Sequence, residues 1–123
     1  MFEDTRAYSG IAVKDMEEAR EFYGGKLGLK TSQEHDNLWL DLAGDRETLI
    51  YEQPEMTPAS FTVLNFEVNE IEEAVDALAA RGVTLERYEG FEQDEKGIFR
   101  GEGPYIAWFK DPSGNVLSVL QER

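Results

Sequence analysis

The amino-acid sequence predicts an α+β fold of two tandem βαβββ modules, and three observations lead to it. Residues 11–19 resemble residues 66–74 at an offset of 55, and both copies read as a short apolar strand followed by a helix. Turns at 43–45 and 111–115 each separate two apolar strands, as in a hairpin, and superpose at an offset of 68. Each half of the chain holds 13 acidic and 6 basic side chains, which fits a duplication.

Both predicted helices have recognisable ends. Asp15 and Asn69 are each followed three residues later by Glu, which is the arrangement of a capping box. We expect the first helix to stop at Gly24 and Gly25, and the second at Gly82, since glycine readily adopts the left-handed conformation after a helix. One face of the second helix is apolar at i, i+3, i+4 spacing, through Ile71, Ala74, Val75, Leu78 and Ala79.

Further strands follow each helix. They are predicted over residues 27–31, 38–42 and 48–52, and over residues 83–86, 106–109 and 116–120. The proline-containing stretch 54–60 is interpreted as a linker between module 1, residues 1–53, and module 2, residues 61–123. A module of about 60 residues is marginal for a separate core, so a single domain over residues 1–123 is expected.

Module 2 contains an insertion, residues 88–104, that is rich in glycine, acidic and aromatic residues. Two interpretations stay open for it. It is either a solvated loop or a flap over a cavity, because long ordered loops often have a function.

Charge excludes several classes of partner. The chain has 26 acidic and 12 basic side chains and a formal net charge of −14. Phosphate backbones and anionic headgroups need clustered Lys and Arg, so we expect neither nucleic-acid nor membrane binding. No apolar run approaches the ~18–20 residues that a bilayer requires, and the first residues lack a signal-peptide pattern, so a cytoplasmic location is expected. The absence of cysteine excludes disulfides, zinc–thiolate sites and thiol nucleophiles.

Three stretches in this order resemble the vicinal oxygen chelate superfamily, which includes glyoxalases, bleomycin-resistance proteins and extradiol dioxygenases. They are residues 9–23, which end in FY and are followed by LGL at 27–29, then residues 68–82, and then the DPSGN turn at 111–115. The resemblance spans nearly the whole chain. It implies two modules that form an open curved barrel with helices on the convex side, and usually a homodimer.

Enzymes of this family hold a divalent metal through one residue on the first strand and one on the last strand of each module. The resemblance puts those positions at Tyr8, Ile50, Val63 and Ser118. None is a histidine or a carboxylate, which are the ligands that such metals prefer. The single histidine, His35, lies in a polar loop and is expected at the surface. We therefore predict no metal and no cofactor.

Alternation along the strands predicts which side chains line the cavity. The inner face is expected to carry Tyr8, Ile50, Val63, Asn65, Glu67 and Ser118. Further candidates for its wall or flap are Trp39, Phe91, Phe99 and Trp108. An apolar patch with a few polar groups suits an organic ligand.

The leading hypothesis is a metal-free protein that binds a small organic molecule, similar to the drug-sequestering branch of the family. The negative charge favours a cationic ligand, and the aromatic residues favour an aromatic one. An alternative is an isomerase or lyase that acts without metal through Tyr8, Glu67 or the cluster of Asp94, Glu95 and Arg100. A third is a protein that acts only through a dimer surface. The sequence favours binding over catalysis, because it supplies no base with an orienting partner.

Overall fold

All 123 residues are described by the computed structural model, which has an α+β fold with two helices and two mixed sheets. The chain divides into two compact units, Met1–Thr57 and Pro58–Arg123. The division falls inside the proline-containing stretch 54–60. Neither helix is long and apolar enough to cross a bilayer.

The first unit contains a four-stranded sheet in the order β1-β4-β3-β2. Strand β1 is parallel to β4, and the other neighbours are antiparallel. Its elements are β1 Ser9–Val13, α1 Met16–Arg20, a π-helical turn Glu21–Lys26, β2 Lys30–Glu34, β3 Asn37–Leu42 and β4 Arg46–Glu52. The π-helical turn includes both glycines, and Leu27 N donates to Phe22 O at 2.9 Å. Strand β2 therefore begins later than the sequence predicts.

The second unit contains a three-stranded sheet in the order β5-β7-β6, with β5 parallel to β7 and β6 antiparallel to it. Its elements are β5 Thr62–Glu67, α2 Ile71–Ala80, β6 Tyr105–Lys110 and β7 Val116–Gln121. The predicted strand at 83–86 is wrong, because only Leu85 forms a bridge, to Phe109. The chain then leaves the edge of the sheet, because Glu86 O accepts a hydrogen bond from the Gln93 side chain at 3.0 Å and not from a strand.

Equivalent residues of the two hairpins are 69 positions apart in the chain, and not 68 as the sequence predicts. Leu38 lies opposite Ile50 in the first sheet, and Ala107 lies opposite Val119 in the second. The sequence pattern puts Asp111 in the turn, but its N donates to Asn115 O at 3.0 Å, so Asp111 still pairs across the hairpin. Both turns thus have three residues, 43–45 and 112–114.

This shift of one residue corrects the prediction for Ile50. Ile50 lies beside Ile11 in the parallel pair and is fully buried, so its side chain is in the core against the helix. A slip of one residue turns a strand side chain to the opposite face of the sheet. The residue that corresponds to Ser118 is Leu49, opposite Trp39.

The two helices begin differently. Asp15 accepts a hydrogen bond from Glu18 N at 3.0 Å, as predicted. The predicted cap at Asn69 is wrong, because Glu70 occupies the N-cap position and its side chain makes no capping bond. Instead, Gln121 Oε1 at the end of β7 accepts from Ile71 N at 2.8 Å. The second helix ends at Gly82 as predicted, with a φ of 82°.

Each unit has its own apolar core between its helix and one face of its sheet. In the first unit the most buried side chains are Val13, Tyr23, Leu38, Leu40 and Ile50. In the second unit they are Ile71, Val75, Ile98, Phe109 and Leu117. Burial of one such side chain stabilises the fold by roughly 1.5–3 kcal/mol, so these cores fix the two sheets.

Candidate ligand site

The face of the second sheet opposite α2 brings three predicted site residues together. Ser118 on β7 lies between Asn65 on β5 and Trp108 on β6. The Ser118 hydroxyl donates to the Asn65 side-chain oxygen at 2.6 Å. Residues paired across neighbouring strands point to the same face, so the three side chains form a row. The row ends in a large indole.

Segment 88–104 places three further aromatic rings on Trp108. Phe91 is stacked on the indole, with ring centroids 5.5 Å apart and an interplanar angle of 20°. Tyr88 meets it edge-on at 5.6 Å, and Phe99 lies at 6.4 Å. Phe91 and Phe99 also contact each other at 5.2 Å. Phe91, Phe99 and Trp108, which were predicted separately as wall or flap residues, therefore form one aromatic cluster.

Hydrogen bonds of the Gln93 side chain hold this segment together. The Gln93 side chain donates to Glu86 O and Gly97 O, at 3.0 and 2.7 Å, and accepts from Tyr88 N at 2.9 Å. Ile98 is fully buried. A segment fixed in this way presents its aromatic rings in defined positions.

Asp94 closes the turn at the tip of the segment. Its Oδ1 accepts from Lys96 N and Ile98 N, both at 2.9 Å, and its Oδ2 accepts from Arg100 Nε at 3.1 Å. Burial raises the pKa of Asp94, but the hydrogen bonds from Ile98, Arg100 and Lys96 outweigh it and hold the pKa below its usual value. An ionised carboxylate with both oxygens occupied is a structural group and not an available base.

Two cations tie this turn to α2. Lys96 Nζ lies 3.0 Å from Asp76 and 3.5 Å from Glu72, and Arg100 lies 3.4 Å from Glu72. The hydrogen bond with Asp76 raises the pKa of Lys96 above its usual value. These exposed ion pairs add little stability each, but together they hold the segment against the helix.

An open cleft of about 240 Å³ lies beside the aromatic cluster. We call it the aromatic cleft, and its walls are Ser60, Phe61, Thr62, Tyr88, Phe91, Trp108 and Val116. Phe61 is 69% exposed and Phe91 is 48% exposed, so both offer apolar surface to a ligand. Burial and then the Glu86 carboxylate raise the pKa of Tyr88, which keeps its phenol neutral.

Two predicted residues lie elsewhere on β5. Val63 occupies a β-bulge between Thr62 and Leu64 and has no partner on β7. Because of the bulge, Thr62 lies opposite Val116 and lines the cleft instead. Glu67, at the end of the strand, is exposed. The bulge has no local sequence signal, which is why Thr62 was missed.

Tyr8 and Trp39 pack together in the first unit. Their ring centroids are 4.7 Å apart and the rings meet edge-on. Beside Trp39 runs a groove of about 380 Å³, which we call the acidic groove. Its walls are Lys30, Thr31, Ser32, Trp39, Asp41, Asp45 and Glu47.

Residues 6–119 match the sequence profile of the Glyoxalase/Bleomycin resistance protein/Dioxygenase superfamily. The chain belongs to this superfamily. No curated protein sequence matches the chain. The family assignment from the sequence motifs is thus confirmed.

Solved structures of similar length share the fold. The antibiotic binding protein TnmS3 from Streptomyces sp. CB03234 is 22% identical, with 98% of each chain covered and a TM-score of 0.71. A glyoxalase family protein from Enterococcus faecalis is 23% identical, with 98% of this chain and 99% of that chain covered and a TM-score of 0.69. The fosfomycin resistance protein FosX from Listeria monocytogenes is 14% identical, with 98% and 92% covered and a TM-score of 0.74.

The side chains at the superfamily's metal positions do not fit a divalent metal. The Ser118 hydroxyl donates to Asn65, Val63 is aliphatic, and Ile50 is buried on the other face. The corrected register replaces Ile50 by Leu49, which is also aliphatic. Tyr8 offers only a half-exposed phenol. The structure holds no group of three or more His, Cys, Asp or Glu side chains that could bind a metal ion. His35 is exposed in the β2–β3 turn, as predicted.

Proposed function

We propose that this superfamily member binds a small organic molecule with a planar aromatic group in the aromatic cleft, without metal. The observation that carries the proposal is the open cleft beside Trp108, whose aromatic walls Phe61 and Phe91 are partly exposed. A ligand ring that covers these walls removes apolar surface from water. Aromatic pairs add about 0.5–1.5 kcal/mol beyond that burial.

The size and chemistry of the cleft limit which ligands fit it. A volume of about 240 Å³ is just below the range of roughly 300–1,000 Å³ for ligand pockets, so one or two fused rings would fill it. Hydroxyl groups of Ser60, Thr62 and neutral Tyr88 supply hydrogen bonds. The cleft walls carry no charged side chain.

Two solved relatives support a ligand-binding function of this kind. TnmS3 is described as an antibiotic binding protein and FosX as a fosfomycin resistance protein. We therefore propose that this chain sequesters a drug or a metabolite. The interpretation of the two units as paired modules of an open barrel belongs to the same proposal, as do the homodimer, the single domain and the cytoplasmic location.

The enzymatic alternative receives less support. Asp94 and Arg100 are occupied in the turn and its ion pairs, and Glu67 is exposed at a strand end. An acid–base reaction needs a titratable group within hydrogen-bond reach of a substrate and usually a second group that orients it. The aromatic cleft contains no such pair.

A fluorescence titration tests the proposal. The variant Trp39→Phe leaves Trp108 as the single tryptophan, because the chain has 2. A panel of planar one-, two- and three-ring compounds, neutral and cationic, is added to this variant. We expect saturable quenching by at least one compound, and, for a neutral compound, a smaller or absent response when Trp108 is replaced and Trp39 retained. No saturable response across the panel would contradict the proposal.

A further inference from the structure

A guanidinium group lies on the aromatic pair of the first unit. The Arg6 side chain is over the Tyr8 ring, 5.2 Å from its centroid, and over the Trp39 ring, 5.8 Å from its centroid. It also forms an ion pair with Glu47. Two aromatic faces and a carboxylate are the groups that recognise an organic cation in water.

These groups come from separate parts of the unit and converge on one face of the sheet. Tyr8 precedes β1, Trp39 is on β3, and Glu47 is on β4. Asp41 lies directly opposite Glu47, and Trp39 lies two residues from Asp41, so all three side chains share the face away from α1. The sheet therefore fixes Trp39, Asp41 and Glu47, and Tyr8 joins them directly before β1.

Arg6 is held weakly. Its side chain is 63% exposed, and its bonds are a surface ion pair and two exposed cation–π contacts. At an exposed site each of these interactions contributes at most about 1 kcal/mol to holding the side chain in place. An incoming guanidinium or ammonium group can make the same contacts, so it can replace Arg6 at little cost.

The acidic groove leaves room for the rest of such a molecule. It adjoins Trp39 and Glu47 and holds about 380 Å³. Asp41 and Asp45 add negative charge there, against the ammonium group of Lys30, which lies 3.5 Å from Asp41. Once Arg6 leaves, the groove has three carboxylates, Asp41, Asp45 and Glu47, and one cation, Lys30.

We propose that the first unit contains a second binding site, for a guanidinium or ammonium group of a small organic molecule, and that Arg6 occupies it until such a ligand displaces it. The site goes beyond the function proposed above, because it lies in the other unit and selects by charge. Binding there is a reversible exchange of the Arg6 guanidinium for the cation of the ligand, and the aromatic cleft takes no part in this exchange.

The test uses the variant Trp108→Phe, in which Trp39 is the only fluorophore and β6 keeps an aromatic ring. The probe is benzylguanidinium, and benzylurea is its neutral counterpart of similar shape. We expect saturable quenching of Trp39 by benzylguanidinium alone. Removal of the internal competitor by Arg6→Ala is expected to tighten this binding about fivefold, since an occupied site reduces apparent affinity by the fraction that is free. Glu47→Gln is expected to weaken it by a similar factor.

Arg46→Ala is the matched control. Like Arg6→Ala it removes one positive charge, here from β4 directly beside Glu47, but Arg46 forms no cation–π contact with the aromatic pair. We expect this variant to change the affinity less than twofold. Equal tightening by Arg46→Ala would mean a general charge effect and would overturn the proposal, as would equal binding of benzylurea or no binding of benzylguanidinium by Arg6→Ala.

Proton NMR tests the displacement itself. The Arg6 δ-methylene protons lie near two aromatic faces, so their signals, assigned by comparison with Arg6→Ala, are expected upfield of exposed arginines. Saturation with benzylguanidinium should return them to the ordinary position. Binding without any movement of these signals would show that Arg6 does not occupy the site.

Discussion

Phe61 offers the clearest way to separate ligand binding from stability. Phe61 is 69% exposed and lines the aromatic cleft. A phenylalanine that a ligand half-covers loses roughly 70 Å² of apolar surface, which at ~25 cal/mol per Å² contributes about 1.7 kcal/mol to binding. Phe61→Ala should therefore weaken the tightest compound of the panel roughly 10- to 20-fold.

The same substitution should leave the fold almost unchanged. We expect a loss of less than about 0.5 kcal/mol in the free energy of unfolding by urea, because exposed side chains contribute little. Phe91→Ala is the comparison. Phe91 is stacked on Trp108, so its removal is expected to reduce both affinity and stability, the latter by about 2 kcal/mol.

Fluorescence of Trp108 in the Trp39→Phe background measures affinity, and urea unfolding measures stability. If Phe61→Ala binds within twofold of the parent, the ligand does not contact the aromatic cleft. If it loses as much stability as Phe91→Ala, Phe61 is a packing residue. Either result refutes the assignment of Phe61 to a ligand surface.

Three other expectations concern the fold and the metal. Gln121→Leu removes the acceptor for Ile71 N and should lower the free energy of unfolding by about 1 kcal/mol in urea, whereas Asn69→Ala should change it by less than ~0.5 kcal/mol. Asp94 has a lowered pKa, so its stabilising contribution is present above pH ~4 and is lost as the pH falls through that pKa; Asp94→Asn should lack this part of the acid transition in urea titrations between pH 2 and 6. Elemental analysis after gel filtration should find no stoichiometric divalent ion, and one ion per chain would contradict the donor assignment.

Features set by neighbouring residues were predictable from the sequence. Asp15 caps α1 through Glu18 N, and Gly82 ends α2 with a positive φ, because both depend on a few adjacent residues. The cap of α2 was not predictable in this way. Gln121 is 50 positions away from Ile71 along the chain, so only the packing of β7 brings the two together.

Features set by strand register were predicted less well. The prediction for Ile50 is wrong because an error of one residue in the turn moves its side chain to the other face of the sheet. The bulge at Val63 has a similar effect on β5, where Thr62 and not Val63 lines the cleft. Period-2 alternation gives two faces for every strand but does not say where a bulge or turn resets it. Asn65, Ser118 and Trp108 share one face as predicted, because no bulge or turn interrupts the register between them.

One NMR titration tests the central claim most directly. The chain has 2 tryptophans, so a ¹H–¹⁵N correlation spectrum of the unaltered protein shows two indole N–H signals, one from each unit. As a planar neutral aromatic compound from the panel is added, the Trp108 signal should move and saturate while the Trp39 signal stays in place. Movement of the Trp39 signal alone, or of neither signal with every compound, would contradict ligand binding in the aromatic cleft.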